Sequence, residues 1–220
     1  MPYTIKKPYK TRKPKTSENG GLVAFDEFYE IADEKIRTDL LDGKIIRDSP
    51  AIPIHTLTVT WISGLLSTFT QEFDLGVVFG ATATVRLSIY NAPEPDVLFI
   101  SRKRLGIILE KYVDGPPDLC VEVISRSSRK YDRGRKFVLY AEHGVKEYWI
   151  IDPFKNTVEW FENRNGKYVQ IQPDAQGCLH SKVLTGFWLK PEWLFRDSLP
   201  TFSQVMQEIL GQKQSIAKGI

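Results

Sequence analysis

Cysteine is scarce, and long apolar runs are missing altogether. The two cysteines among 220 residues, Cys120 and Cys178, stand far apart with no Cys-x-x-Cys spacing. That excludes a disulfide framework, argues against structural zinc, and fits a reducing compartment, so a cytoplasmic location is expected. No stretch approaches the ~18 consecutive apolar residues of a membrane span, so no membrane association is expected. The charged N-terminus is not followed by an apolar segment and does not read as a secretory signal. There is no internal repeat, and no glycine-rich loop that would cradle a nucleotide phosphate.

What remains is a globular composition, 42% hydrophobic and 26% charged. Its length suits one domain, which buries roughly 70% of its unfolded surface without staples. The net charge of +3 hides an asymmetry. Residues 1–17 carry Lys6, Lys7, Lys10, Arg12, Lys13 and Lys15 and no acid, so the rest of the chain sums to −3. Residues 1–20 are therefore expected to form a disordered basic arm, 21–200 a folded domain, and 201–220 a C-terminal helix and tail. Such an arm suits phosphate backbones without reading sequence; a solubilising tail is the alternative.

Periodicity predicts a short amphipathic helix over 23–36, with Phe25, Phe28, Tyr29, Ala32 and Ile36 on one face. Leu40 to Gly43 lead through a turn into a strand at Lys44–Ile46. Over roughly 53–70, Leu57, Trp61, Leu65 and Phe69 step by four, which favours helix, although Thr56, Thr58 and Thr60 alternate as in a strand. Strands are predicted at 77–79, 84–89, 97–100, 119–124 and 148–151. A helix entered through Ser125, Ser127 or Ser128 is expected to run to Gly144. Asn165-Gly166 between Val158–Phe161 and Tyr168–Ile171 marks a hairpin. A further short helix is expected at 202–210. Strands alternating with helices, then a hairpin, predict an α/β or α+β sheet.

The chemistry centres on Glu122, an acid inside an apolar strand. Burying a carboxylate costs several kcal/mol unless something compensates it, and a cation is the natural compensation. A wet strand face or an arginine partner would also serve. Asp96 stands at the mouth of the run Val97–Ile100. Neighbouring strands lie about 4.8 Å apart, so if these two pair, both carboxylates converge on one hard cation, for which Mg²⁺ is suited. Asp132, Lys136 and Tyr140 follow at helical spacing, and Lys136 could reach back toward the sheet; an exposed Asp132–Lys136 ion pair is the plainer alternative. A metal-activated water beside a lysine is a workable arrangement for phosphodiester hydrolysis.

The stretch Pro117–Ser125, with Tyr131-Asp132-Arg133-Gly134, Lys136, Tyr140, Gly144-Val145 and Glu147-Tyr148-Trp149, resembles a large bacterial family of restriction-endonuclease-like proteins. That family is placed in the PD-(D/E)XK nuclease superfamily. Leu41-Asp42-Gly43, His55 and Pro95-Asp96-Val97 match as well, so the resemblance spans about residues 25–195. It implies a restriction-endonuclease-like α/β fold, with a mixed central sheet flanked by helices and a C-terminal hairpin. It implies an Mg²⁺- or Mn²⁺-dependent endonuclease acting on nucleic acid, DNA first, with a homodimer supplying two active sites for a duplex. Asp96 and Glu122 would be the metal-binding acids, joined by the Val123 carbonyl. Lys136 would replace the lysine usually found two residues after the acid, where this chain has Ile124. Asp132 and Tyr140 would position Lys136, and His55 matches a family histidine of unassigned role. The chain departs from the family pattern at Asp39, where Glu is common, at Lys44, where an acid is common, and at Arg126, where Pro is usual. Those departures, with the missing strand lysine, motivate an alternative: a non-enzymatic nucleic-acid-binding module on a nuclease-like fold. A metal hydrolase acting on another phosphate substrate is a third reading.

Overall fold

A computed structural model describes residues 21–32, 37–47, 51–80 and 83–217. The expected basic arm and Ile36 lie outside the described residues. Helix α1 (Phe25–Ile31) is shorter than the sequence predicts, because Ala32 already has an extended backbone. Strands β1 (Thr38–Leu41) and β2 (Lys44–Arg47) form an antiparallel hairpin. Leu40 and Leu41 are thus strand rather than lead-in. Asp42 and Gly43, at φ 51° and 71°, make the two-residue turn that matches strand twist.

Helix α2 (Pro53–Glu72) settles the conflict over 53–70. Pro53 suits the first turn, where its missing N–H costs nothing. The alternating threonines are accommodated within it; the Thr58 hydroxyl donates to the Ile54 carbonyl at 2.8 Å, one turn back. Then follow β3 (Gly76–Gly80), β4 (Val85–Arg86), β5 (Val97–Ser101), β6 (Val113–Asp114) and β7 (Leu119–Val123). Next are α3 (Arg129–Asp132), α4 (Arg135–Glu142), β8 (Glu147–Asp152), β9 (Thr157–Arg164), β10 (Lys167–Ile171), β11 (Leu179–His180), β12 (Trp188–Leu189) and α5 (Phe202–Ala217).

Six strands form one mixed sheet in the order β10-β9-β8-β7-β5-β3. Only β7 and β8 are parallel, and α3 and α4 make the crossover between them. Alternate side chains serve two cores. Leu119, Val121 and Val123 of β7, with Val97 and Phe99 of β5, pack under α2 and α5. Cys120 of β7, with Tyr148 and Ile150 of β8, faces α4 through Tyr140. Each such side chain contributes about 1.5–3 kcal/mol by leaving water. Cover on both faces explains why β7 and β8 are fully buried. Burial, with the Glu122 charge nearby, pushes the Cys120 thiol pKa well up.

Three expectations need correction. Only Val85–Arg86 of the 84–89 segment is strand; the chain turns back at Ser88–Asn91, leaving Ile89 exposed at its tip. The helix expected up to Gly144 is broken in two at Arg133-Gly134, where Gly134 has φ −117° and ψ −99°. The last helix runs beyond Leu210 to Ala217.

Candidate functional site

The register of the central strands creates the site. Strand β5 pairs antiparallel with β7, Val97 opposite Val121. One residue further, Asp96 comes opposite Glu122 on the α4 side of the sheet. Both carboxylates are buried, at 2% and 1% exposure. The Asp96 Oδ2 accepts the Val123 backbone N–H at 2.7 Å, tying the acid to the end of β7.

Lys136 enters from α4 and is 1% exposed. Its Nζ lies 2.8 Å from Asp39 Oδ2, 3.1 Å from Glu122 Oε1 and 3.7 Å from Asp132 Oδ1. The plainer sequence alternative, a solvated ion pair, is therefore not what forms. Tyr140 donates to Glu122 Oε1 at 2.9 Å, so it orients the acid rather than the lysine. His55, on the first turn of α2, brings Nε2 to 3.4 Å from Asp96 Oδ1, while its buried Nδ1 has no hydrogen-bond partner. Asp132 is buried with no hydrogen-bond donor on either oxygen.

Two further contributors were not assigned a role from the sequence. Arg37, just before β1, spans the acids: its guanidinium binds Asp96 Oδ1 and lies 3.2 Å from Glu122 Oε2. It also donates through Nε to the Glu94 carbonyl at 3.1 Å. Arg135 pairs through both Nε and Nη2 with Asp42 in the β1–β2 turn, which holds that hairpin against the start of α4. The local signal is limited: Arg37 and Asp39 are two residues apart, the spacing that puts both on one side of an extended chain, but it does not say which acids they meet. Asp39 itself lies on strand β1, not on a helix, and accepts the Glu94 N–H at 2.7 Å while holding Lys136.

Among the described residues, five buried carboxylates, those of Asp39, Glu94, Asp96, Glu122 and Asp132, thus gather around two permanent cations, Arg37 and Lys136. The pKa shifts follow from that imbalance. Burial would raise Asp96, but Arg37, His55 and the Val123 N–H outweigh it and hold the carboxyl well below the usual range. Burial dominates at Glu122 and raises it well above a normal glutamate, against the pull of Lys136. Burial likewise pushes Asp132 up to about 6. Desolvation would lower Lys136, but Asp39, Glu122 and Asp132 more than reverse that and keep it protonated. Among the described residues, no three His, Cys, Asp or Glu side chains are arranged as a ready metal cage.

Comparison with known proteins gives a consistent picture. Residues 25–192 match the model of the Uma2 family, described as "Putative restriction endonuclease". A crystal structure from Anabaena variabilis, described as a "putative nuclease belonging to DUF820", aligns with TM-score 0.65 at 18% identity, covering 79% of this chain and 97% of that one. At that identity the likeness speaks for the fold, which is nuclease-like. No curated protein matches.

Proposed function

The chain belongs to the Uma2 family of restriction-endonuclease-like proteins, and on that footing we propose that it is a divalent-metal-dependent endonuclease acting on DNA. The observation that carries this reading is the convergence of Asp96, Glu122 and Lys136 at one end of the central strands, amid an excess of buried negative charge. That donor set suits a hard cation, because carboxylate oxygens are its preferred ligands. Asp96 and Glu122 would hold Mg²⁺ or Mn²⁺, with the Val123 carbonyl beside them. When bound, the ion supplies Lewis-acid chemistry, offsetting phosphate charge and acidifying the attacking water.

The protein's own groups do the rest. Tyr140 fixes the Glu122 carboxylate by its hydrogen bond, and the Val123 N–H fixes Asp96. Lys136, held by three acids and charged, stabilises the negative charge that develops on the phosphoryl oxygens. Asp132 and Asp39 position that lysine, and His55 borders Asp96. A homodimer would supply the second site needed to cut both strands of a duplex. Glu122→Gln is expected to abolish cleavage of plasmid DNA while leaving the melting curve and circular dichroism close to wild type. Cleavage by that variant at the wild-type rate would sink the assignment.

One observation favours a second reading, a non-catalytic nucleic-acid-binding module. Every oxygen of Asp96 and Glu122 already has a protein partner. On that reading, nucleic-acid affinity survives Asp96→Ala and depends on residues 1–17.

A further inference from the structure

Resting on the nuclease reading above, we propose that Arg37 is the resident counter-cation of the Asp96–Glu122 pair, and that a divalent ion enters the site only by displacing it. The guanidinium occupies the two oxygens that face each other across the strand ends, Asp96 Oδ1 and Glu122 Oε2. The remaining oxygens are committed elsewhere. Asp96 Oδ2 takes the Val123 N–H at 2.7 Å, and Glu122 Oε1 takes Lys136 at 3.1 Å and Tyr140 at 2.9 Å. The pair of oxygens best placed to share one cation is the pair Arg37 holds.

Exposure says which cation exchanges. The Lys136 side chain is 1% exposed and hemmed in by three carboxylates. The Arg37 side chain is 19% exposed, so it is the less enclosed of the two cations. Charge gives the direction. Arg37 and Lys136 together bring two positive charges to the buried acids Asp39, Asp96, Glu122 and Asp132, so a divalent ion in place of the single charge of Arg37 lessens the negative excess that remains. Arginine is also the cation that tolerates this duty without losing its proton. Among the described residues no ready cage of three acids, histidines or cysteines is present, and the guanidinium of Arg37 holds the two facing acids in its place.

The exchange has a cost that shows in the binding constant. Losing the charge-assisted hydrogen bonds of Arg37 weakens apparent metal affinity by at least about tenfold. The test is Mn²⁺ titration calorimetry on the full chain, with wild type, Arg37→Gln and the double variant Asp96→Ala, Glu122→Ala. Arg37→Gln is expected to bind Mn²⁺ at least about tenfold more tightly than wild type, and the double variant not at all. In thermal melts, the metal-free Arg37→Gln protein should unfold below wild type and gain more from Mn²⁺ than wild type does. Equal or weaker Mn²⁺ binding by Arg37→Gln overturns the exchange and leaves the carboxylate site standing. Absence of binding by both wild type and Arg37→Gln overturns the metal site and the exchange together. If Arg37→Gln does not fold, Arg37→Lys carries the same comparison: a point charge on a flexible stem cannot fork both acids, so Mn²⁺ should still bind more tightly than to wild type.

Discussion

Asp118 shows how a buried acid is held when two basic side chains and a backbone N–H surround it. It lies at the opposite end of β7 from Glu122, and its carboxylate is shielded from solvent. It accepts the Ser101 N–H at 2.8 Å and pairs with Lys146 at 2.7 Å and Arg104 at 3.2 Å. Burial would raise its pKa, but Lys146, the Ser101 N–H and Arg104 together lower it. A carboxyl lowered in the folded state binds fewer protons there than when unfolded. Its stabilising effect is therefore complete above pH ~4, the unfolded value, and is lost as pH falls further toward the folded one. Asp118→Asn should cost roughly 1.5–3 kcal/mol at neutral pH in urea denaturation. It should also flatten the loss of stability as pH falls below about 4; a variant losing stability as steeply as wild type there would show that Asp118 is not responsible. Asp118 and Glu122 look alike on paper, as two acids in one apolar strand. Only their partners, drawn from other segments, make one a structural anchor and the other a candidate ligand.

The break between α3 and α4 is the element that the sequence conceals best. Asp132, Lys136 and Tyr140 at four-residue spacing read as one continuous helix running to Gly144. In the fold, Gly134 closes one helix and opens the next, and a Cβ there would lie 2.5 Å from the Lys130 carbonyl oxygen. Gly134→Ala would improve helix propensity in an ordinary helix. Here it should instead destabilise the protein by about 1–3 kcal/mol, because the contact is with backbone that cannot rotate away. Differential scanning calorimetry decides the sign, and a raised melting temperature would mean the break is unimportant. The strands were legible because their apolar runs are short and bounded by turn residues, as in Val97–Ile100 before Ser101 or Asn165-Gly166 between β9 and β10. The paired register of β5 and β7 was foreseen only conditionally, since two strands 20 residues apart pair through long-range contacts that local pattern does not encode. For the same reason Arg37 stayed unassigned. Nothing near it in the chain says that its partners are 59 and 85 residues away.

At the scale of the whole molecule, charge is divided unevenly along the chain. Residues 1–17 hold six cations and no acid, while the remainder is net negative by three. A body of that sign repels a polyanion, so encounter with nucleic acid should lean on the N-terminal segment. Each cation that displaces a counterion from DNA adds about 0.9 to the slope of log affinity against log salt. Deleting residues 1–17 should therefore weaken DNA binding and flatten that slope, measured by fluorescence anisotropy from low to moderate salt. An unchanged slope would move the electrostatic contact onto the folded body. No described helix is long and apolar enough to cross a membrane. The mixed sheet has one more consequence, for time rather than energy. Cys120 sits in β7, one of two fully buried strands, on the same face as Glu122, and Cys178, also buried, lies in the loop just before β11 at the edge of the other core. A thiol reagent reaches Cys120 only when β7 parts from its neighbours, and it reaches Cys178 on any smaller excursion of its own loop. The two labelling rates form a pair of clocks, one for rupture of the central sheet and one for fraying at its margin, running in the unmutated chain.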